Sequence, residues 1–330
     1  PYDIDQVTMK DYDLLSEEQA SKRIGLEKYP LLQFGIPLAH PDEMVNQMDS
    51  DLPYPIKGMW IQTTNPIACM ASEPRRVYDQ MMRLDFIAAA DPFMTPTIAA
   101  LADVVLPVTF YPEADSLYSE QDYALGAIIK AVEPKGECKS DYEICLELGK
   151  RLSPEDWPWE TADDLLTWQI QPTTGLTFQE LCEQGGLLYT DFQYEKYKKG
   201  LLRPDGRPGF MTPSGKIELH SLMFDAWGYD PLPNYKEPPE SPISTPELFE
   251  EYPLVFTSGA RHIEFFHSEH RQVPRLRAMH PDPEVLVHPN DAEKYGIRDG
   301  EWIWIENQRG KARQKARVTV EIMEGVVNAD

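Results

Sequence analysis

The feature that most limits how this chain can fold is an alternation of short apolar runs with amphipathic stretches between residues 57 and 106. The apolar runs lie at 58–64, 86–90 and 104–106, and the stretches with helical periodicity lie at 73–83 and 95–101. Strands that alternate with helices in this way form parallel sheets with helices packed on them. The sequence therefore predicts a βαβαβ unit, followed by one more amphipathic helix at 141–152.

Residues 251–330 have a different pattern, that of short β-strands. Apolar runs at 253–257 and 284–288 predict two strands, and Trp302–Ile305 alternates before a turn at Asn307–Gly310, which predicts a hairpin. On the return strand every odd position from 309 to 317 is basic, which fits a solvated strand face or a contact with another part of a larger protein. Several strands in so short a segment favour a small barrel.

These patterns divide the chain into four parts and predict the fold class α/β plus all-β. The parts are an irregular lead-in at 1–55 with a short helix near 16–24, a partial α/β domain at 56–152, a loop-rich connector at 153–250 with one strand at 216–220, and a truncated β-barrel at 251–330. At 330 residues about two domains are expected. The chain is interpreted as a piece of a longer protein, so its compartment stays open between the cytoplasm and the periplasm of a prokaryote.

The charge balance limits the kinds of partner. Lys and Arg number 31 against 55 Asp and Glu, and the net charge of −24 disfavours nucleic acids and anionic membranes. No apolar run is long enough to predict insertion into a membrane. Cys69, Cys138, Cys145 and Cys182 lack CxxC spacing and are interpreted as reduced structural thiols, so no iron–sulfur cluster held by this chain alone is expected.

Two predicted strand ends in the α/β segment carry groups that bind nucleotides. Thr63-Thr-Asn-Pro66 joins a strand to a helix, where free backbone amides attract phosphate. Asp91 ends the next strand, and its carboxylate can accept two hydrogen bonds from the ring N–H and amino groups of guanine. Each has a plainer explanation, which is an Asn-Pro turn in the first case and a helix N-cap in the second.

A segment rich in Arg and His is the local exception to the acidic balance. Between residues 261 and 280 four arginines and four histidines stand against Glu264 and Glu269, which makes the segment a candidate anion site. His262, His267 and His270 could hold a metal, but they do not follow the helical HExxH spacing, and no metal site formed by protein side chains is predicted. No glycine-rich phosphate loop or activated nucleophile is present, so no catalytic residue is assigned.

The joint order of these motifs resembles the dimethyl sulfoxide reductase family of molybdopterin oxidoreductases. The similarity covers about 54–150, which resembles part of the family's third domain, and 210–330, which resembles its pterin-binding fourth domain. The motifs that carry it are 53–66, 85–86, 91–95, 101–107, 257–261, 266–268, 288–292, 296–300 and 309–310. The resemblance implies a partial three-layer α/β domain for a dinucleotide cofactor, followed by a double-psi-like barrel that binds molybdopterin dinucleotide.

By this resemblance the chain helps to bind two molybdopterin guanine dinucleotides, whose dithiolenes hold Mo or W. The residues implied to grip one dinucleotide are Thr64, Asn65, Asp91 and Thr95, with Asp91 on the guanine. The residues implied to approach the pterins from the barrel are Thr257, Gly259, Arg261, His267, Ser268 and His288. The family often has Asn at the position of His288.

The resemblance also implies an oxidoreductase of anaerobic respiration with a small-molecule substrate and an electron-transfer subunit. Its motifs are most similar to those of thiosulfate or polysulfide reductases. The family's N-terminal [4Fe–4S] motif and its metal-ligating side chain match nothing here, so the chain is expected to be inactive without an N-terminal half. Two alternatives stay open, a non-redox relative such as acetylene hydratase and a nucleotide- or protein-binding scaffold without enzymatic activity.

Overall fold

The computed structural model describes residues 17–33, 39–69, 73–120, 124–189, 193–259, 262–265 and 269–329. The chain forms two compact units, Pro1–Leu232 and Pro233–Asp330. Within the described ranges, no helix combines the length and the apolar character that crossing a membrane requires. All four cysteines are free thiols.

The first unit contains two sheets and most of the helices. Its strands are β1 (Gly58–Gln62), β2 (Phe86–Asp91), β3 (Val104–Pro107), β4 (Ser116–Glu120), β5 (Ala124–Ile128) and β6 (Leu187–Tyr189). Its helices are α1 (Glu17–Ser21), α2 (Pro41–Ser50), α3 (Pro66–Cys69), α4 (Pro74–Met81), α5 (Pro96–Leu101), α6 (Asp141–Leu152), α7 (Ala162–Thr174), α8 (Phe178–Glu183) and α9 (Leu222–Ala226), with 3₁₀ turns at Pro30–Gln33 and Tyr111–Glu113.

The predicted βαβαβ unit is confirmed. β1, β2 and β3 form a parallel sheet in that order, with Gly58 beside Phe86 and Ala88 beside Val104. Ile87 and the alanines of β2 are buried, as expected for the central strand of a parallel sheet covered by helices. Because the three strands are parallel, their carboxyl ends lie at one edge of the sheet.

A second, antiparallel sheet was not predicted. β4 and β5 form a hairpin, and β6 pairs with the other side of β5. Helices α7 and α8 supply the core beneath it through Leu166, Ile170 and Leu181, each 0% exposed. The segment at 153–189 therefore contributes packed structure to the first unit where an irregular connector was predicted.

The predicted strand at 216–220 is wrong. Ile217 and Leu219 are 70% and 85% exposed, and no described strand pairs with this segment. The carboxylate of Glu218 accepts hydrogen bonds from the backbone N–H groups of Ser214 (2.9 Å) and Leu222 (3.0 Å). These bonds curl the chain into a loop, and a side chain that bonds to nearby backbone competes in this way with sheet pairing.

The second unit contains one mixed sheet. Its helices are α10 (Pro246–Glu251), α11 (Pro274–Arg277) and α12 (Pro289–Tyr295), and its strands are β7 (Val255–Ser258), β8 (Glu284–Val287), β9 (Trp302–Asn307), β10 (Gly310–Val318) and β11 (Val326–Ala329). The strand order is β7-β11-β8-β10-β9. The β9–β10 hairpin is confirmed, whereas β11 and α12 were not predicted. The structure therefore confirms an α/β part followed by a part built on one β-sheet, which three short helices accompany.

The basic face of β10 is matched by partners within the second unit. The Lys311 ammonium lies 5.1 Å from the centre of the Trp304 ring, and the Arg313 guanidinium lies 4.9 Å from that of Trp302. Three ion pairs complete the face, Arg309 with Glu240, Lys315 with Asp282 (3.3 Å) and Arg317 with Glu321 (2.9 Å). The stripe is a solvated strand face, as one of the two explanations expected, and each of its cations also has a local acceptor or ring.

Candidate functional site

The carboxyl edge of the parallel sheet places several of the predicted residues close together. β1 ends at Gln62, β2 at Asp91 and β3 at Pro107, and Asp91 is the direct neighbour of Pro107. The backbone N–H of Thr63 donates to the carbonyl of Ala90 at 2.9 Å, which holds the turn after β1 against the end of β2. Ligands of open parallel sheets bind at this edge.

Asp91 is buried at this edge with part of its hydrogen-bonding capacity unused. It is 7% exposed, and its Oδ1 accepts the backbone N–H of Phe93 at 2.7 Å. No other described residue donates to this carboxylate, which has about four acceptor sites. Burial raises the pKa of Asp91 above its ordinary value. A buried carboxylate with unused lone pairs suits a ligand that presents neighbouring N–H donors.

The plainer explanation of Asp91 as a helix N-cap is wrong. Thr95 caps α5 instead, and its hydroxyl oxygen accepts the N–H of Ile98 at 3.3 Å. The side chain of Asp91 instead accepts the backbone N–H of Phe93, two residues later, in the turn before the helix begins. Asp91 and Thr95 therefore have separate structural roles, and that of Asp91 uses only part of its hydrogen-bonding capacity.

The junction after β1 keeps a small number of backbone amides available. The N–H of Thr63 is bonded to β2, that of Ile67 donates to Thr97 Oγ1 at 3.0 Å, and Pro66 has none. Among the described residues no acceptor bonds to the backbone N–H of Thr64 or of Asn65. These two amides are the ones that remain for an anion at this turn, consistent with the expected phosphate site.

The Asn65 side chain has a positioning role that sequence reasoning missed. Its Oδ1 accepts the hydroxyl of Thr97 at 2.6 Å, and Thr97 is completely buried in α5. Because the same hydroxyl oxygen accepts the N–H of Ile67, Thr97 links the start of α3 to α5. This buried hydroxyl fixes the turn that carries the two available amides.

We expect Thr97→Val to destabilise the protein by about 1–3 kcal/mol, because the isosteric change leaves the Ile67 N–H without its acceptor and removes the stronger of the two donors to the Asn65 oxygen. Thr97→Ser keeps the hydroxyl and loses one methyl group, for which we expect about 1 kcal/mol. Urea denaturation of both variants measures the difference. Equal losses for Val and Ser would show that packing, and not the hydroxyl, holds this turn.

Two exposed aromatic side chains at the same edge were also missed. Phe93 follows β2 and Phe110 follows β3, and their rings meet edge to face with centroids 5.4 Å apart. They are 42% and 40% exposed. The backbone N–H of Phe93 donates to the Asp91 carboxylate, so Phe93 and Asp91 belong to one turn. A flat heterocycle could stack on an exposed ring of this kind.

In the second unit, Thr257 lies in β7 and binds the neighbouring strand. Its hydroxyl donates to the carbonyl of Val327 at 3.3 Å and accepts from the Nδ2 of Asn328 at 2.9 Å. Gly259 follows β7 with a φ of 104°, a conformation that favours glycine. Arg261, His267 and Ser268 lie outside the described residues.

His288 lies at the other end of this sheet. Its Nδ1 accepts the N–H of Asn290 at 3.2 Å, which makes it the N-cap of α12. β11 runs parallel to β7 and antiparallel to β8, so β7 and β8 point in opposite directions. Gly259 and His288 follow strand ends at opposite edges of the sheet, and the structure does not bring them together.

Two family models match most of the two units. Residues 23–151 match the model described as Molybdopterin oxidoreductase. Residues 254–330 match the model described as Molydopterin dinucleotide binding domain. The first match includes the carboxyl edge with Asp91, and the second includes the mixed sheet of the second unit.

Several characterised proteins are similar over nearly the whole chain. Acetylene hydratase of Syntrophotalea acetylenica is 33% identical over 327 positions, covering 92% of this chain and 43% of that protein. Dopamine dehydroxylase of Eggerthella lenta is 29% identical over 383 positions, covering 95% and 37%. The molybdopterin-containing subunit of thiosulfate reductase from Salmonella typhimurium is 29% identical over 289 positions, covering 81% and 36%.

One solved structure has the same fold over almost all of this chain. The acetylene hydratase from Pelobacter acetylenicus is 30% identical, with a TM-score of 0.85, and the match covers 98% of this chain and 46% of that one. The chain therefore spans less than half the length of the relatives it matches.

Proposed function

Since this chain belongs to the molybdopterin oxidoreductase family, we propose that it is the cofactor-binding part of a larger enzyme and grips a molybdopterin guanine dinucleotide at the carboxyl edge of its parallel sheet. The observation that carries the proposal is Asp91, a buried carboxylate with unused acceptor sites. The family relationship indicates the cofactor class, and the carboxylate indicates where its purine binds.

The residues at this edge fit a guanine nucleotide. Guanine presents a ring N–H and an amino group side by side, and a carboxylate accepts both. Adenine presents one donor and one acceptor on the corresponding edge, so Asp91 selects against it. The backbone amides of Thr64 and Asn65 follow the neighbouring strand and can donate to a phosphate, while Phe93 offers a ring for stacking.

A separate proposal concerns the second unit, which we expect to approach a pterin. We assign Thr257, Gly259, Arg261, His267 and Ser268 to this role by their places in the family's motifs. We leave out His288, because it follows a strand end at the opposite edge of the sheet from Gly259. When two such cofactors are bound, their dithiolenes hold a Mo or W ion that carries the reaction. This chain supplies binding and orientation, and a further part of the enzyme supplies the metal-ligating side chain and a [4Fe–4S] cluster.

For the complete enzyme the first candidate is an anaerobic oxidoreductase of the thiosulfate or polysulfide type with an electron-transfer subunit. A second candidate is a hydratase without net oxidation, favoured by the similarity to acetylene hydratase in sequence and in fold. Assays of the purified holoenzyme separate them. Reduced viologen oxidised upon addition of thiosulfate or polysulfide supports the first, and conversion of acetylene to acetaldehyde without an electron donor supports the second.

The cofactor proposal predicts that GDP stabilises the cofactor-free full-length protein more than ADP does. A nucleotide at a hundred times its Kd adds about 2.7 kcal/mol to the free energy of unfolding. Thermal unfolding with each nucleotide at equal concentration measures the difference. An equal shift with ADP would contradict guanine recognition, and no shift with GDP at millimolar concentration would favour a scaffold that binds no nucleotide.

A further inference from the structure

Three side chains in the second unit form a cluster that the proposed cofactor site does not use. They are His262, which follows β7, His280, which follows α11, and Glu284, the first residue of β8. One ligand atom of each lies within 4.8 Å of the others, and all three side chains are half-buried. The two imidazole rings stack with centroids 3.7 Å apart and an angle of 18° between their planes.

A second carboxylate lies beside one member of this cluster. Glu264 Oε2 lies 3.4 Å from His280 Nε2, and the Glu264 side chain is 11% exposed. This oxygen is buried and accepts no hydrogen bond from any described residue. Buried carboxylate oxygens nearly always have a donor or an ion beside them, because leaving one unsatisfied costs about 1–3 kcal/mol or more. Glu264 therefore points to a positive charge at this position.

A cation shared by His262, His280 and Glu284 accounts for their close approach, because it uses two imidazole nitrogens and one carboxylate oxygen at once. Glu264 lies beside His280 and adds a second negative group next to such an ion.

We propose that His262, His280 and Glu284 bind one divalent transition metal ion of the zinc class, with the Glu264 carboxylate beside His280. Zinc prefers tetrahedral sites with nitrogen and oxygen ligands at about 2.0–2.2 Å. Two imidazoles select such ions over Mg²⁺ and Ca²⁺, which prefer oxygen. The ion fastens the chain that connects β7 to β8 onto the start of β8, so its role is structural.

Sequence spacing could not show this site. The ligands come from a turn, from the end of a short helix and from a strand, and the last two lie 18 and 22 residues beyond His262 along the chain. No helical repeat relates them, so a search for HExxH-type spacing passes over them. The fold brings them together because β7 ends beside the start of β8, on either side of β11.

The test is zinc binding by the full-length protein, measured by competition with a chromophoric chelator and by elemental analysis. We expect one zinc ion per chain in the wild type. Replacing a partner that only orients a ligand weakens metal binding about 10–100-fold, so His280→Gln and Glu284→Gln should each weaken it at least about tenfold. His220→Gln, at an exposed histidine of the first unit, is the matched control and should bind as the wild type does.

Cobalt substitution keeps the test decisive if a variant fails to fold. Tetrahedral Co²⁺ bound to the wild type should give intense visible absorption, which requires no variant. The proposal is overturned if the wild type binds neither zinc nor cobalt stoichiometrically, or if well-folded His280→Gln and Glu284→Gln proteins bind zinc as tightly as the His220→Gln control. Zinc binding and nucleotide binding are measured separately. A negative zinc result therefore does not contradict the guanine proposal, and a negative nucleotide result does not contradict the zinc proposal.

Discussion

Asp91→Asn is expected to weaken binding of GDP and of the guanine dinucleotide by about 10-fold to 150-fold while the fold stays intact. Asn keeps the oxygen that accepts the Phe93 N–H, but it replaces the second acceptor with an amide that meets the guanine donors unfavourably. A hydrogen bond to a charged group contributes about 1.5–3 kcal/mol, which corresponds to this range of affinities. Calorimetric titration with GDP, and the guanine content of the purified holoenzyme, measure the loss.

The matched control is Asp85→Asn, an exposed carboxylate just before the opposite end of the same strand. It should bind GDP as the wild type does. If Asp91→Asn also binds as the wild type does, the purine is held elsewhere and the proposed orientation of the cofactor is wrong.

The pH dependence gives Asp91→Asn a second signature. Burial raises the pKa of Asp91, so its ionised form destabilises the nucleotide-free fold at neutral pH. The variant should therefore be more stable than the wild type at neutral pH, and the gain should disappear as the pH falls below the ordinary aspartate pKa. In the wild type, GDP affinity should fall as the pH drops through the raised pKa, whereas in Asp91→Asn it should not.

Leu166→Ala is expected to lower the free energy of unfolding by about 2–5 kcal/mol. Leu166 is 0% exposed in α7 and lies in the core beneath the β4-β5-β6 sheet. Removing its branched side chain loses apolar burial and leaves a cavity that a well-packed core fills only in part. Urea denaturation of the full-length protein measures the loss.

Leu219→Ala is the matched control for this prediction. Leu219 lies in the same 153–250 segment but is 85% exposed, so its truncation should change stability by less than about 0.5 kcal/mol. A similarly small effect for Leu166→Ala would show that this segment behaves as the connector that the sequence pattern predicted, and that α7 does not belong to a cooperative core.

Local patterns were sufficient to predict the parallel sheet. β2 is a continuous apolar strand, and α6 is capped by Ser140, whose side chain and that of Glu143 form reciprocal hydrogen bonds at the helix start. Signals of this kind depend only on residues a few positions apart. The placement of Asp91 at a strand end followed from the same reasoning, because the end of an apolar run marks the end of its strand.

The segment around α7 was misread because its composition resembles that of a loop. Pro, Trp and acidic residues dominate it, although Thr161 and Asp164 form the same reciprocal cap that marks α6. The core beneath the second sheet groups Leu166 and Ile170 of α7 with Leu125 of strand β5, some forty residues earlier in the chain. No local pattern shows that such a partner exists, and the partner decides whether an apolar side chain is buried.

The same limit applies to the candidate sites. Thr97 is an ordinary buried threonine in the sequence, and only the fold shows that it holds Asn65. Gly259 and His288 were grouped by motif, yet the fold separates them, because β7 and β8 run in opposite directions on either side of the unpredicted strand β11. His262 and His280 were assigned to a candidate anion site without Glu284 for the converse reason, since the fold joins positions that no spacing rule connects.

The strand order of the second unit also sets when it can fold during synthesis. Among the described strands β7 pairs with β11 alone, and the register places Val255 beside Val326, which is 71 residues later in the chain. At about 5–20 residues per second, a ribosome needs roughly 4–14 seconds to make that stretch. Throughout that interval the strand that pairs with β7 has not been synthesised. The backbone hydrogen-bonding groups of β7 in the nascent chain are then open to chaperones or to a second emerging polypeptide.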